Sequence, residues 1–387
     1  MHARDRMNFP FTVTFRAIAA NYSRRDQTMS LRSLAATVAL ISAATLASPA
    51  RAASGAVYTM ENAAGPNTVV VYSRASNGTL TQTQSVLTGG LGTGAGLGSQ
   101  GSLALSEDGR WLLAVNAGSN DVTVFSVAGG ELTAVGTQAS GGIMPISVTV
   151  HNNTVFVLNA GGTPNITGFH LTNTGVLVPI PSVQKVLTGT GPAEVSFNLD
   201  GTLVAVTEKT SNTIVVFSID SGTLIGPFIS ASAGQEPFGF AFGPHNLLLV
   251  TEAFNGAQNG SAVSSYQADA GAGLRLITPS LSTTQTAACW LVITGHGRFA
   301  YAANAGSASI SSYAVAQDGS LALINGVAGS TPAGTSPQDL ALSAGSQYLY
   351  NLASGTISEF QVAADGSLTP IGSITGLPAS TVGLQAQ

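Results

Sequence analysis

Four acidic residues recur at matching places along this chain, and their type suggests proton-transfer chemistry. Glu194 opens the run Glu-Val-Ser-Phe-Asn, and Glu208 closes the next run, Leu-Val-Ala-Val-Thr-Glu. Glu252 closes Leu-Leu-Leu-Val-Thr-Glu, and Asp339 opens Asp-Leu-Ala-Leu-Ser. Two carboxylates held close together in a partly dry site cannot both ionise cheaply, so one retains its proton and can act as an acid. Glu208 and Glu194 are therefore the expected catalytic pair, with Lys209 as the neighbouring cation.

Asn116, Asn159 and Asn304 stand in other copies where Glu208 and Glu252 stand, and Asn62 with Glu61 stands there in the first. Together with Glu252, Lys209 and Asp339, those three asparagines are expected to bind a ligand. The plainer reading of an Asn before Ala-Gly or a turn is a loop residue bonding its own backbone. Glu is not a favoured turn former, so that reading does not carry over to the glutamates. Glu208, Glu252 and Asn159 would also offer oxygens of the kind calcium requires, and no other cofactor is expected.

Other nucleophiles and bases are poorly placed. His151, His245 and His296 fall in tight turns where other copies carry Asp108 or Asp200, which points to turn duty. Cys289 is the only cysteine, so no intrachain disulfide can form, and its apolar context reads as a small buried hydrophobe.

What must position these residues is a repeat. An aromatic ends an alternating run at Tyr72, Phe125, Phe169, Phe217, Tyr266, Tyr313 and Phe360, and each is followed by Gly-x-Leu or a near relative. The stretches "GRWLLAVNAGSNDVTVFSVAGGELTAV" (109–135) and "GRFAYAANAGSASISSYAVAQDGSLALI" (297–324) are two copies of one unit. A period of about 40–50 residues built of short alternating strands and turns is the mark of a β-propeller blade.

Seven copies predict an all-β, seven-bladed propeller. Each blade has strands A to D, and Asp-Gly pairs such as Asp108-Gly109 make the A–B hairpin turns. The first copy lacks a strand A, and Ser380 to Ala386 follows the last copy with Val382 and Leu384 matching Leu340 and Leu342. That C-terminal strand is expected to complete the first blade and close the ring. Ends of strand B and starts of strand A then share one face, around the central channel, which is where a small ligand is expected.

Composition bounds the rest. Charged residues make up 8% of 387, and apolar residues 44%, a mixture suited to buried strands and tight turns. From Met29, Arg32, the apolar stretch Leu34–Leu46 and Ala50-Arg51-Ala52 form a signal-peptide pattern over 29–52. Residues 1–28 read either as an upstream mis-start or as an extended leader, and residues 53–387 as one propeller domain. The protein is expected to be exported, periplasmic or extracellular, monomeric, and without a membrane span after cleavage. Beyond the leader six basic and sixteen acidic residues remain, a net charge of −10 that offers no footprint for nucleic acid.

With units such as "GPAEVSFNLDGTLVAVTEKTSNTIVVFSID" (191–220) repeated across nearly the whole mature chain, the sequence resembles the lactonase-type seven-bladed propellers. That family includes 6-phosphogluconolactonases and carboxymuconate-lactonizing enzymes. The resemblance implies lactone ring opening or closing, a carboxylic ester hydrolase or a cyclase. Active members are expected to show Pro-His at the start of one strand A, and Gly-Pro-Arg-His at another with Asn-Glu closing the next strand B. This chain has Pro145-Ile146 and Gly191-Pro192-Ala193-Glu194 there, with Thr207-Glu208 keeping only the Glu. A clamp for an anionic substrate is left without its arginine. Two readings follow: a lactonase-like channel for a small ligand, or a non-catalytic propeller that binds a ligand or a protein.

Overall fold

The computed structural model describes residues 55–220 and 223–387. The leader expected over 29–52, the segment 1–28 and Gly222 of the fourth Gly-x-Leu lie outside the described residues.

Seven antiparallel sheets follow one another along the chain, six of four strands and one of five. Blade four is representative, with strands Pro192–Phe197, Leu203–Glu208, Thr213–Asp220 and Thr223–Ala231 paired in sequence order. Its first two strands are buried along almost their whole length, while the fourth is mostly exposed at the rim, with Leu224 buried. Blade three departs at its edge: its outer strand breaks into Leu177–Pro179 and Lys185–Val186 around a short helical turn at Pro181–Val183.

The ring closes as the repeat predicts. Val382–Ala386 pairs antiparallel with Gly55–Met60, setting Leu384 opposite Thr59 and Val382 opposite Met60. The C-terminal strand is thus the inner strand of blade one and covers the edge that Gly55–Met60 would otherwise expose. Arg74 adds a further tie by donating to Gln387 O at 3.1 Å.

All seven strand-C aromatics are buried, at 2% exposure or less, where adjoining blades stack face to face. Two of them carry a hydroxyl, on Tyr72 and Tyr313, that finds no partner among the described residues. The A–B turns take the expected form, with Gly109 and Gly201 both at φ +67°, a conformation that costs glycine little. The inner strands of blades two to seven are Leu103–Leu105, Ile143–His151, Pro192–Phe197, Pro237–Phe242, Ala288–Ile293 and Pro337–Leu342. They surround the central channel.

Candidate functional site

Register separates the two glutamates expected to act together. Pro192 lies opposite Glu208, and a bulge then sets Glu194 opposite Thr207. Residues directly opposite share a face of the sheet and neighbours along a strand alternate, so Glu194 and Glu208 leave opposite faces of blade four. Glu194 turns to blade five, where Phe240 N–H donates to its Oε2 at 2.7 Å. Glu208 turns the other way, accepting Gly189 N–H at 3.0 Å and the Thr213 hydroxyl at 2.5 Å.

Glu208 belongs to a set of internal clamps. Glu252 accepts from the hydroxyls of Ser264 and Ser280 and from Gly234 N–H, at 2.5, 2.6 and 2.8 Å, with Ser232 at 3.4 Å. Asn116 donates to Asp121 and Thr123 and accepts from Asn67, while Asn159 donates to Asn165 and to Ser140 O. Asn304 donates to Ser309 and Ser311. In every case the residue ending strand B fastens strand C, and in most it also holds the crossover arriving from the previous blade. All five are buried at 1% exposure or less. A glycine in the crossover makes room, since a Cβ on Gly189 would overlap the Glu208 carboxylate. Asn159, Glu208 and Glu252 lie in successive blades, and no group of three or more His, Cys, Asp or Glu able to hold a metal occurs among the described residues.

The channel holds the other two acids. A cavity of about 350 Å³ runs along the inner strands, with Glu194, Asp339 and Gln100 at one end and Phe197, Leu199, Phe242, Ile293 and Leu342 toward the A–B turns. Leu199 is well exposed, which marks the open mouth. Asp339 accepts Leu340 N–H at 2.8 Å on one oxygen and Leu384 N–H at 3.1 Å on the other. Both acids therefore do structural work, tying blade four to five and blade seven to one.

Their surroundings also hold their protons. Burial pushes the Asp339 carboxyl up to about 8, against the pull of its two backbone donors. Burial raises Glu194 well above the usual range, and the nearby charge of Asp339 raises it further, while the Phe240 N–H works against both. The carboxyl that pairs electrostatically with Glu194 is thus Asp339, from three blades away.

The end of the channel away from the mouth, beside the two acids, is stopped by the chain itself. Residues 93–102, the crossover from blade one to blade two, fold across it. Gln100 Nε2 donates to Leu291 O at 2.9 Å, and its Oε1 accepts Leu291 N–H at 3.0 Å. Gly239 leaves the room that this side chain fills, because a Cβ there would overlap Gln100 Oε1. Trp290 Nε1 donates to Ser99 O at 2.9 Å, Ser99 Oγ to Ile146 O at 2.8 Å, and Gln100 N–H to Ala193 O at 3.2 Å. Lys209 is part of the same stopper: its ammonium donates to Gly98 O at 2.5 Å and lies 4.4 Å from the Phe238 ring centre. Burial lowers its pKa, with Cys289 and Glu236 opposing.

Of the residues expected to form a site, then, the fold brings Glu194 and Asp339 together in the channel. It sets Glu208, Glu252, Asn116, Asn159 and Asn304 into blade clamps and Lys209 onto the stopper. Gln100, Ser99 and Trp290 have roles that reading the repeat did not assign. The available signal was the Gly-rich stretch "GGLGTGAGLGSQGS" (89–102), longer than the other crossovers. His151, His245 and His296 are at the A–B turns as expected, with His151 2.5 Å from Glu107 and its ring tilted against Phe197, whereas His170 lies in the strand Asn165–Leu171.

A family model described as lactonase, 7-bladed beta-propeller, matches residues 56–185, 152–276 and 271–383. No curated protein matches the chain. Among solved structures, the chain is similar to the periplasmic gluconolactonase PpgL of Pseudomonas aeruginosa, at 15% identity and a TM-score of 0.69 over 86% of this chain and 99% of that one. A Lactobacillus plantarum protein matches at 16% identity and a TM-score of 0.69, over 86% and 99%. A Bacteroides uniformis protein assigned as a 6-phosphogluconolactonase matches at 19% identity and 0.67, over 85% and 98%.

Proposed function

Because the chain belongs to the lactonase family of seven-bladed β-propellers, we propose that it holds a small ligand in its central channel, entered from the A–B turns. The observation that carries this reading is the 350 Å³ cavity that ends blindly on Glu194, Asp339 and Gln100. Its acid-lined end and largely polar exposed lining, with Leu199 at the mouth, leave room for a small polar ligand. In this reading the protein does not turn over a phosphorylated sugar lactone. The positions where the family resemblance calls for Arg and His are Ala193, Glu194 and Ile146, and the backbone oxygens of Ala193 and Ile146 are occupied by Gln100 and Ser99.

Ring opening of an uncharged lactone is the second reading. It is favoured by Glu194, a buried carboxylic acid in the cavity wall whose raised pKa leaves it a proton to give. Calcium and a protein partner have no comparable observation behind them.

Thermal-shift and turnover measurements with glucono-δ-lactone, its 6-phospho derivative and phenethylammonium test these readings, beside the channel-filling variant Ala241→Trp. The expected outcome is stabilisation by an uncharged or cationic small molecule that Ala241→Trp abolishes, with no hydrolysis of the phosphorylated lactone. Hydrolysis of that lactone by the wild type, lost in Glu208→Gln, would overturn the proposal. We further propose that the protein acts after export, and the exported form should begin near Ala53 on N-terminal sequencing.

A further inference from the structure

We propose that the blind end of the channel, between Glu194 and Asp339, seats a small organic cation: an ammonium head on the two carboxyls and an apolar body along the wall. The inference rests on the channel being the ligand site, and it names the class of ligand. Two acids line the cavity, and no Lys, Arg or His does. Lys209, the closest cation in the sequence pattern, spends its ammonium on Gly98 O within the stopper.

The free valence points the same way. Glu194 is 4% exposed and lines the cavity, yet only its Oε2 receives a donor among the described residues, from Phe240 N–H. An ammonium has three N–H donors and no acceptor, which suits a floor of carboxyl oxygens whose other donors are already fixed. Toward the mouth, where most of the exposed lining is polar, Leu199, Ile293 and Leu342 with the edges of the buried Phe197 and Phe242 offer some apolar contact for a hydrocarbon body. An anionic ligand would meet two acids and no counter-charge there. A divalent metal would need more oxygen ligands than these two side chains supply.

Protons make room for the cation. Asp339 keeps its proton up to about pH 8 and Glu194 beyond the usual carboxyl range, so an entering ammonium displaces a proton to solvent. The other inner strands bring no Asp, Glu, His, Lys, Arg or Tyr to the cavity. Cys289, at the start of the blade-six inner strand, is pushed by burial up to about 12 and stays neutral. Below the carboxyl pKa, displacement of one proton makes affinity rise about tenfold per pH unit. Above it the dependence flattens.

Calorimetry with three molecules of one skeleton reads the class directly: phenethylammonium, 2-phenylethanol and phenylacetate, titrated from pH 6 to 9 in buffers of different ionisation enthalpy. Phenethylammonium should bind with affinity rising about tenfold per pH unit from pH 6 to 8, with about one proton released per molecule bound. Phenylacetate should not bind. Glu194→Gln, which keeps an acceptor for Phe240 N–H, should weaken the ammonium at least tenfold and remove part of the pH dependence. If 2-phenylethanol binds as tightly as the ammonium, with no proton release and no effect of Glu194→Gln, the cation class is wrong while the channel site stands. If none of the three binds, and no lactone stabilises the protein in a way that Ala241→Trp blocks, the channel reading and the cation class fall together.

Discussion

Glu208 and Asn116 hold the same place in blades four and two, and their partners have opposite hydrogen-bonding sense. The carboxylate, which only accepts, is met by Gly189 N–H and the Thr213 hydroxyl. The amide donates to Asp121 and Thr123. A residue that looked like an acid–base catalyst is accounted for by its own blade, since a buried polar group without partners costs about 1–3 kcal/mol. Glu208→Gln should therefore cost about 1–2 kcal/mol, because one carboxylate acceptor becomes a donor facing Thr213. A urea-midpoint shift with unchanged ligand affinity is the expected result. Lost binding at full stability would return Glu208 to the site. Glu252→Gln should cost more, since three hydroxyls and an N–H converge on that carboxylate.

At the scale of an element, the crossover 93–102 decides which end of the channel is open. Its Gly-rich sequence lets the backbone approach inner strands of distant blades, and Gln100 then reaches blade six as a substitute edge partner for Leu291. Gln100→Ala leaves Leu291 N–H and O without this partner at the channel floor. The variant should lose about 1–3 kcal/mol of stability. It should also loosen Trp290, whose indole is held by Ser99 O, and shift tryptophan emission to the red. An unchanged spectrum together with unchanged stability would mean that the crossover closes the channel without help from Gln100. The inner strands impose a similar logic on Glu194 and Asp339, which each satisfy an N–H of the next blade while facing the cavity.

The whole molecule depends on ring closure and on those two buried acids. Deleting residues from Leu377 onward removes the inner strand of blade one, exposes the edge of Gly55–Met60 and strips Asp339 of its Leu384 donor. Loss of a cooperative unfolding transition is expected, and a truncated protein that melts like the full chain would contradict closure by that strand. The acids also set a pH dependence. Asp339 is raised to about 8 and Glu194 is raised in the same direction, so between the usual carboxyl range and about pH 8 the folded state holds the Asp339 proton, and above the usual range that of Glu194, which the unfolded chain has released. Stability from these groups is complete at low pH and is lost as pH rises toward 8, at about 1.4 kcal/mol per pH unit for each group that remains protonated only when folded. Melting temperature should fall from pH 5 to 8, and Glu194→Gln should flatten the slope.

The seven aromatics, the Gly-x-Leu signals and the displaced strand A were enough to read the architecture and its closure, because each blade repeats one period-2 pattern and one turn chemistry. Such local signals survive in a single sequence. They also placed Glu194, Asp339 and the histidines on the correct strands and turns. Which side of a strand a carboxylate faces was not legible, because the bulge between Pro192 and Glu194 shifts register by one residue and sends Glu194 and Glu208 to opposite faces. Nor could spacing show that Asp339, 145 positions from Glu194, would be its electrostatic neighbour, or that Gln100 would bond Leu291 across the channel. Those pairings depend on bringing all seven inner strands around one axis, which only the closed ring does.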